Sequence, residues 1–532
     1  MASKKEIGWK ASGKAGVVAA GGAGAVEAGI RMLEEGGNAA DAAVATILAL
    51  GVTDFGYFAF GGEVPFMCFD ARKNRIVVLS GQGSAPLSPE VISWFMRNGI
   101  TRGGDIRSVA VPGAPDLCIT ALKLLGTMSL EQVARPTLEL LSGGTEWEPG
   151  LARTIERMVH AEKKCPGLRE EKLQAAADRF YRGDIAAELE EWYMQSGGFL
   201  RRTDLAAHTT RVENAVSAPY RGLTVCKCGT WTQGPMLLQA LRLLDGFDIG
   251  AMKRLSAEPI HVAIEALKLA MADRDMWYGD PLFAGVPLAA LLSDEYTGLR
   301  RPLIDPHTAH PEPRPGDPLG MKALRDGGAW RPAQGGTTTC VIADRWGNVV
   351  AATPSCNDTR GDKGIDLKTG VAHGSRLTSL NTLPGHPNCI APGKRPRITL
   401  TPTLILEHGR PRGAISVAGG DWQDQTTLNV ILNAVDFRLS AADALVGPRF
   451  ATELLQNSFS PSADRKSTML SGSLLANPEI LSSCGKELRE MGHTLKEAPF
   501  PVGNPVMLWI EQETGTVHAA GDPEAKRHAA AV

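Results

Sequence analysis

The chain has almost no charge imbalance: 56 Lys plus Arg stand against 58 Asp plus Glu, a formal net charge of −2 over 532 residues. Without a basic excess there is no electrostatic footprint for nucleic acid or an anionic membrane surface, and neither partner is expected. No apolar run approaches the roughly 20 residues that span a bilayer, so no membrane segment is expected. The early stretch Val17-Val18-Ala19-Ala20 is followed by Gly21-Gly22 and Glu27 with no cleavage pattern, so no secretory signal is read there. Cysteine is sparse and odd in number: nine are scattered, and Cys226 and Cys228 form the only close pair. No Cys/His set has zinc spacing, so no metal or other cofactor is expected, and the thiols read as reduced and buried. These absences point to a cytoplasmic protein. Low-complexity runs and internal repeats are also missing.

Glycine is plentiful: 59 of 532 residues, roughly 11% against a typical 7%. Without low complexity, that excess implies tight turns and close backbone approaches. Hydrophobic residues make up 43% and charged residues 21%, ordinary for a globular chain long enough for several domains or one large body.

Gly36-Gly37-Asn38-Ala39-Ala40-Asp41 leads into a small-residue helix over Ala42 to Leu50, with Asn38 as N-cap and Asp41 three residues on. Val64 to Phe69 and Arg75 to Leu79 read as a hairpin across Lys73-Asn74. Residues 115–200 read as largely helical. Ser256 to Gly279 reads as one helix, with Ile260, Ile264, Leu267 and Met271 on its apolar face and Gly279 as its stop. Phe283 to Arg331, rich in Pro and Gly, reads as a loop. Thr338 to Asp344 and Val349 to Ser355 then flank Arg345-Trp346-Gly347-Asn348 as a hairpin. A polar, turn-rich stretch from Asn357 to Arg397 reads as a long loop. Ile398 to Leu406 and Ala414 to Ala418 form a second hairpin, and Gly419-Gly420-Asp421 opens a helix carrying Leu428, Ile431, Leu432 and Val435.

Gln334-Gly335-Gly336-Thr337-Thr338-Thr339-Cys340 has two readings. One is a Gly-Gly turn before a Thr-rich strand. In the other, the bond between Gly336 and Thr337 breaks and Thr337 gains a free α-amine beside its hydroxyl. That amine, with an ordinary pKa of about 8, can act as base for the hydroxyl near neutral pH. A nucleophile needs a polar partner that positions it and donors for an oxyanion. Ser355 and Asn357 at the end of the paired strand suit the first, and the unhindered N–H groups of Gly419 and Gly420 suit the second.

Several segments carry a family resemblance: Gly36 to Ala43, Ser108 to Gly113, Glu265 to Ala270, Ala272-Asp273-Arg274, Gly279-Asp280-Pro281, Thr337-Thr338, Asp344 with Gly347-Asn348, and Lys394-Arg395-Pro396. Together they resemble γ-glutamyltranspeptidases, collinearly from about residue 15 to 525. The resemblance implies an α+β, four-layer αββα sandwich of the N-terminal-nucleophile hydrolase kind, made as one precursor that cuts itself. It implies that Thr337 is the nucleophile and first residue of a small subunit, with Ser355 touching it. It places Asn357 in the pocket and Gly419 and Gly420 at the oxyanion.

The departures fall in the substrate pocket. Where transpeptidases hold the glutamyl carboxylate with an Arg, this chain has Gln82 in Gly81-Gln82-Gly83-Ser84-Ala85-Pro86. A neutral amide cannot replace a bidentate guanidinium. The acidic pair for the substrate amine is absent, the region reading Ser375-Arg376-Leu377-Thr378, and a Ser-Ser step has become Ile398-Thr399. Arg376 is then a candidate anchor for a substrate carboxylate, with Gln82, Thr399 and Asn357 as further pocket residues. Lys394, Arg395 and Trp231 read as structural, and Cys340 and Cys356 as buried thiols. The expectation is a self-processing threonine amidohydrolase of the non-transpeptidase, acylase-like branch, acting on a small acyl amide, with acyl transfer as a further activity. The alternatives are a γ-glutamyltransferase or glutathione hydrolase, and an unprocessed binding protein. Residues 1–336 and 337–532 would form large and small subunits of one intertwined body that stay associated, with a dimer of the heterodimers as the larger assembly.

Overall fold

Asn38 caps the helix Ala39–Thr53 in the computed structural model: its side-chain oxygen accepts from the N–H groups of Ala40 and Asp41, and Asp41 Oδ2 accepts from Asn38 N at 2.9 Å. Three N–H groups at the helix start are thereby satisfied, in a reciprocal capping box. The structure describes residues 7–141, 144–325, 337–356, 364–455, 458–459, 472–498 and 501–532.

Two seven-stranded antiparallel sheets form the centre. The first runs His528–Ala531, Gly16–Ala20, Cys340–Asp344, Val349–Ala352, Val64–Asp70, Arg75–Gly81, Arg211–Glu213. The second runs Lys10–Gly13, Thr516–Gly521, Asn504–Glu511, Arg410–Ala418, Thr403–Glu407, Leu223–Lys227, Val216–Tyr220. Side-chain alternation along each strand builds the layers. Val17, Ala19, Val341 and Ala351 of the first sheet face Leu404, Ala414, Val506 and Leu508 of the second. The intervening Val18, Ala20, Ile342 and Val350 face the helices Ala23–Glu34 and Ala39–Thr53. On the far side, Ile405, Ile415, Val417 and Met507 pack on Gly234–Leu244, Ala257–Trp277 and Gln423–Ile431. The result is the four-layer αββα sandwich.

Four expectations need correction. The helix Ala257–Trp277 is buried nearly all round rather than along one face. Its charges pair internally, Lys268 Nζ with Glu265 at 2.6 Å and Arg300 Nη2 with Asp273 at 3.3 Å. Its stop is the extended Tyr278, ψ 139°, one residue before Gly279. The stretch expected as a loop after Phe283 holds two short helices, Leu288–Leu291 and Asp294–Arg300. Ser293 caps the second, with Asp294 and Glu295 in the first turn, a start signal hidden by the surrounding prolines. Residues 326–336 lie outside the described set.

The long loop after Asn357 is, from residue 364 on, largely interior. It contains a small hairpin, Ile365–Asp366 with Val371–Ala372, and a 3₁₀ turn Arg376–Ser379 whose residues are all buried. Some of its polar groups are satisfied locally, as where Asp366 Oδ2 accepts from the Thr369 hydroxyl at 2.7 Å. Finally, the strands beside the site are shorter than expected. Val349–Ala352 ends before Pro354, which has no N–H for a ladder, and the segment from Ile398 pairs as a strand only from Thr403.

Candidate active site

Thr337 lies three residues ahead of the strand Cys340–Asp344, in the middle of the first sheet, and is 3% exposed. Its neighbour fixes it. Thr338 N donates to Pro354 O at 2.9 Å, and the Thr338 hydroxyl donates to Asp54 Oδ1 at 2.9 Å. Asp54 ends the helix Ala39–Thr53, and Arg527, in the turn before the last strand, donates to the same oxygen at 3.0 Å. Helix end, strand entry and C-terminal turn meet one residue from Thr337.

Ser355 follows the adjacent strand and pairs with Glu63 through both backbone groups, at 2.8 and 3.0 Å. This brings Ser355 Oγ to 3.4 Å from Thr337 Oγ1, longer than a tight hydroxyl bond. On the other side stands Gln423, the first residue of the helix Gln423–Ile431. With its Nε2 toward the carbonyls of Thr399 and Val417, both at 3.0 Å, its Oε1 faces Thr337 Oγ1 at 3.3 Å. The nucleophile candidate thus sits between a hydroxyl from one sheet and an amide held by the other. Cross-sheet bonds brace the two: Thr353 Oγ1 to Ser416 Oγ at 2.9 Å, and Ser416 Oγ to Ala352 O at 2.8 Å.

Gly419 and Gly420 form the turn between the strand Arg410–Ala418 and that helix. Both have positive φ, 141° and 58°, a pair of conformations that side-chain-bearing residues rarely adopt. Successive backbone N–H groups in such a turn make a concave anion site. Outside the regular ladders, neither N–H has an acceptor among the described residues. Behind the turn, Lys227 Nζ lies 2.8 Å from Asp424 Oδ1, both fully buried, and ties the helix start to the second sheet. Burial pushes the Asp424 carboxyl up to about 6 against the pull of Lys227, and pushes the Lys227 amine down.

Of the expected pocket residues, Gly336 and Asn357 lie outside the described residues. Arg376 is fully buried and engaged: Nε donates to Glu63 Oε1 at 2.6 Å, and Nη2 to Ser355 Oγ at 2.9 Å. Burial pushes the Glu63 carboxyl up while Arg376 opposes it. Gln82 is buried, with Nε2 donating to Pro396 O. Thr399 is buried, and its backbone oxygen is where Gln423 is held.

The residues read as structural are so placed. Arg395 donates to the backbone oxygens of Ser80 and Thr209, at 3.1 and 2.6 Å, and Lys394 to Cys389 O at 2.8 Å. Trp231 donates to Glu213 Oε2 at 2.7 Å. Cys340 and Cys356 are buried free thiols, and burial pushes the Cys340 thiol up, away from reactivity.

Sequence reasoning missed Gln423, Glu63, Asp54 and Arg527. Gln423 was within reach, four residues past Gly419 and on the helix that the glycines open. The other three are brought in by long-range pairing that no local pattern records.

One metal-ligand type grouping occurs among the described residues: His261, Glu265 and His493. Apart from His493 Nδ1, its ligand-type atoms are already committed. His261 Nδ1 meets His493 Nε2 at 2.8 Å and its Nε2 meets Asp305 O at 2.7 Å, while Lys268 and Arg314 hold Glu265. The set is a hydrogen-bonded polar core.

The comparisons with known proteins give the family and the fold. The family profile described as Gamma-glutamyltranspeptidase matches residues 25–171 and 168–532. The glutathione hydrolase proenzyme of Bacillus subtilis (strain 168) is 28% identical over 98% of this chain and 92% of its own. The acylase ACY 1 proenzyme of Pseudomonas sp. (strain SE83) is 30% identical over 83% of each chain. Among solved structures, LmbA2991HD superposes with a TM-score of 0.86 at 31% identity, covering 100% of both chains. A cephalosporin acylase from Bacillus halodurans superposes with a TM-score of 0.81 at 24% identity, over 100% of this chain and 98% of its own, a likeness of fold. The chain belongs to the gamma-glutamyltranspeptidase family of N-terminal-nucleophile hydrolases.

Proposed function

We propose that the chain is a self-processing threonine amidohydrolase that cleaves a small acyl amide through an acyl-enzyme. The observation that carries this reading is the buried Thr337 hydroxyl set between Ser355 Oγ and Gln423, on the helix that follows the Gly419-Gly420 turn. In maturation, Thr337 Oγ attacks the Gly336 carbonyl and the acyl group moves from nitrogen to oxygen. That shift frees the Thr337 amine, and water then cleaves the ester to give the Gly336 carboxylate and the free Thr337 hydroxyl. In turnover that amine takes the hydroxyl proton as Oγ attacks the substrate carbonyl, and the Gly419 and Gly420 N–H groups hold the oxyanion. The amine then protonates the departing amine, and water releases the acid. The names of two relatives support processing, since both are called proenzymes. The steps need no metal or organic cofactor.

Cutting before Thr337 gives pieces 1–336 and 337–532. Strand Gly16–Ala20 of the first pairs with Cys340–Asp344 of the second, and both sheets mix strands from each side, which supports lasting association of the pieces. The location is proposed as cytoplasmic; no helix among the described residues is long and apolar enough to cross a membrane.

Denaturing electrophoresis of the purified protein should show bands of roughly 36 and 21 kDa, scaled by length from 56.6 kDa. The Thr337→Ala variant should stay uncut and inactive. A single full-length wild-type band after long incubation would favour the binding-protein reading. A glutathione hydrolase reading is favoured by the name of a relative, while Gln82, neutral and turned to Pro396, argues against glutamyl binding. Transfer from γ-glutamyl anilide to a dipeptide, faster than hydrolysis of simple acyl anilides, would reverse that ranking.

A further inference from the structure

Arg397 is 3% exposed and lies where the interior loop meets the segment that passes Gln423. Its Nη2 donates to Ser458 Oγ at 3.0 Å, and Ser458 Oγ in turn donates to Asp421 Oδ1 at 2.6 Å, one residue past Gly420. Its other two nitrogens, Nε and Nη1, are buried with no hydrogen-bond acceptor among the described residues. No other described arginine leaves two buried nitrogens in that condition. A buried N–H without an acceptor is destabilising, and a charged one more so, so such a group is expected to have a function.

The acids nearby do not complete it. Asp275 Oδ1 lies 3.7 Å from Arg397 Nη1, outside hydrogen-bond range, and binds Arg274 Nη2 at 2.7 Å. Asp421 likewise pairs with Arg274 Nη1. Burial, with the Arg274 charge beside it, pushes the Arg397 guanidinium down to about 10. The other cations near Thr337 are engaged elsewhere: Arg376 on Glu63 and Ser355, Arg395 on backbone oxygens, Lys227 on Asp424.

Two further buried polar atoms beside Arg397 lack partners among the described residues. Gln82 Oε1 belongs to the amide that touches Pro396, and Thr399 Oγ1 lies two residues on. Through Ser458, Arg397 is two hydrogen bonds from Asp421, the residue after Gly420, and it stands two positions before Thr399, whose carbonyl holds Gln423 against Thr337.

We propose that Arg397 anchors a carboxylate on the acyl part of the substrate, which makes the substrate class amides of short ω-carboxy acyl groups. The carboxylate accepts from Arg397 Nε and Nη1, and the acyl carbonyl reaches Thr337 Oγ1. This rests on Thr337 being the nucleophile.

Succinyl and butyryl 4-nitroanilides, equal in carbon count and differing in charge, test it on processed enzyme. The wild type should favour the succinyl compound in kcat/KM by about 10- to 100-fold, the scale of a charge-assisted hydrogen bond. Arg397→Met should lose that preference through KM, and Arg397→Lys should keep part of it. A second readout needs no turnover: succinate should raise the melting temperature of the wild type and leave Arg397→Met unmoved. Equal rates on the two anilides, a preference that survives Arg397→Met, or no succinate shift in the wild type would overturn the assignment. Butyryl hydrolysis that is lost in Thr337→Ala would leave the nucleophile standing whatever becomes of Arg397. If neither anilide reacts, the nucleophile reading fails, and the succinate shift decides on Arg397 alone.

Discussion

Glu63 and Arg376 form a buried ion pair that reaches toward Thr337: Arg376 Nη2 holds Ser355 Oγ, and Ser355 Oγ faces Thr337. A buried guanidinium without its carboxylate is far worse than the intact pair, because its desolvation is no longer offset. Glu63→Gln should therefore cost about 3–5 kcal/mol in denaturant unfolding. It should also lower kcat in protein that still folds, because Ser355 loses its fixed partner. Unchanged stability would show that Arg376 finds another partner. The same pair explains what could be read in advance at this scale. Thr337, Ser355 and the two glycines stand in segments with a recognisable order, so sequence alone brought them together. Arg376 was legible as a cation near the site but not as one already bound, because its partner lies 313 positions away on the edge of another strand. Nothing in Gly61-Gly62-Glu63 as a string says that its acid points inward.

Elements place these residues through their ends. The strand Cys340–Asp344 carries Thr337 ahead of its first residue and a polar anchor at its last. Asp344 Oδ1 accepts from the N–H groups of Trp346 and Asn348 at 2.8 and 3.0 Å, closing the hairpin turn. Its Oδ2 accepts from Ala39 N at 2.8 Å, at the start of the helix Ala39–Thr53, where a negative charge also suits the helix dipole. One carboxylate thus fastens turn, strand and helix. Asp344→Ala leaves four N–H donors, the Asn348 side-chain amide among them, without that acceptor and should destabilise by roughly 2–4 kcal/mol, read as a lower denaturant midpoint. Because the anchor sits at the opposite end of the strand from Thr337, kcat per folded molecule should hold. A large fall in kcat without loss of stability would mean that the strand transmits more than its position. The hairpin turn was readable from Arg345-Trp346-Gly347-Asn348; its attachment to the helix start was not, because a turn residue's tertiary acceptors leave no periodic trace.

Across the whole molecule, the largest difference between the expected and observed chain is how much polar sequence lies inside. The stretch after residue 364 looks like surface loop by composition, yet it is largely interior, reaching Tyr193 through His373 and Ser355 beside Thr337 through Arg376. His373 shows the consequence. It is buried, Tyr193 Oη lies 2.5 Å from its Nε2, the Trp192 ring stacks on it, and its backbone N donates to Gly364 O. A neutral ring can accept from the Tyr193 hydroxyl at Nε2, whereas a charged ring would bury an Nδ1–H with no acceptor among the described residues. Burial accordingly pushes its pKa down to about 4, and that of His493 down to about 3. An unfolded histidine titrates near 6.5, so above that pH both states are neutral and these groups add no pH dependence. Between about 6.5 and 4 the unfolded chain takes up protons that the folded chain refuses, and each histidine removes stability at up to about 1.4 kcal/mol per pH unit. Asp424 works the other way in part of that window, because its raised pKa, about 6, makes the folded state bind its proton first. The net slope therefore mixes signs, and the informative measurement is a difference. In denaturant titrations from pH 7.5 to 4.5, His373→Gln should be less stable than wild type at neutral pH, and its stability should fall less steeply below 6.5. Parallel curves would mean that His373 is protonated in the folded protein as readily as in the unfolded one. In that case the segment from 371 to 379, which carries Arg376 to Ser355, would be open to water rather than part of the interior.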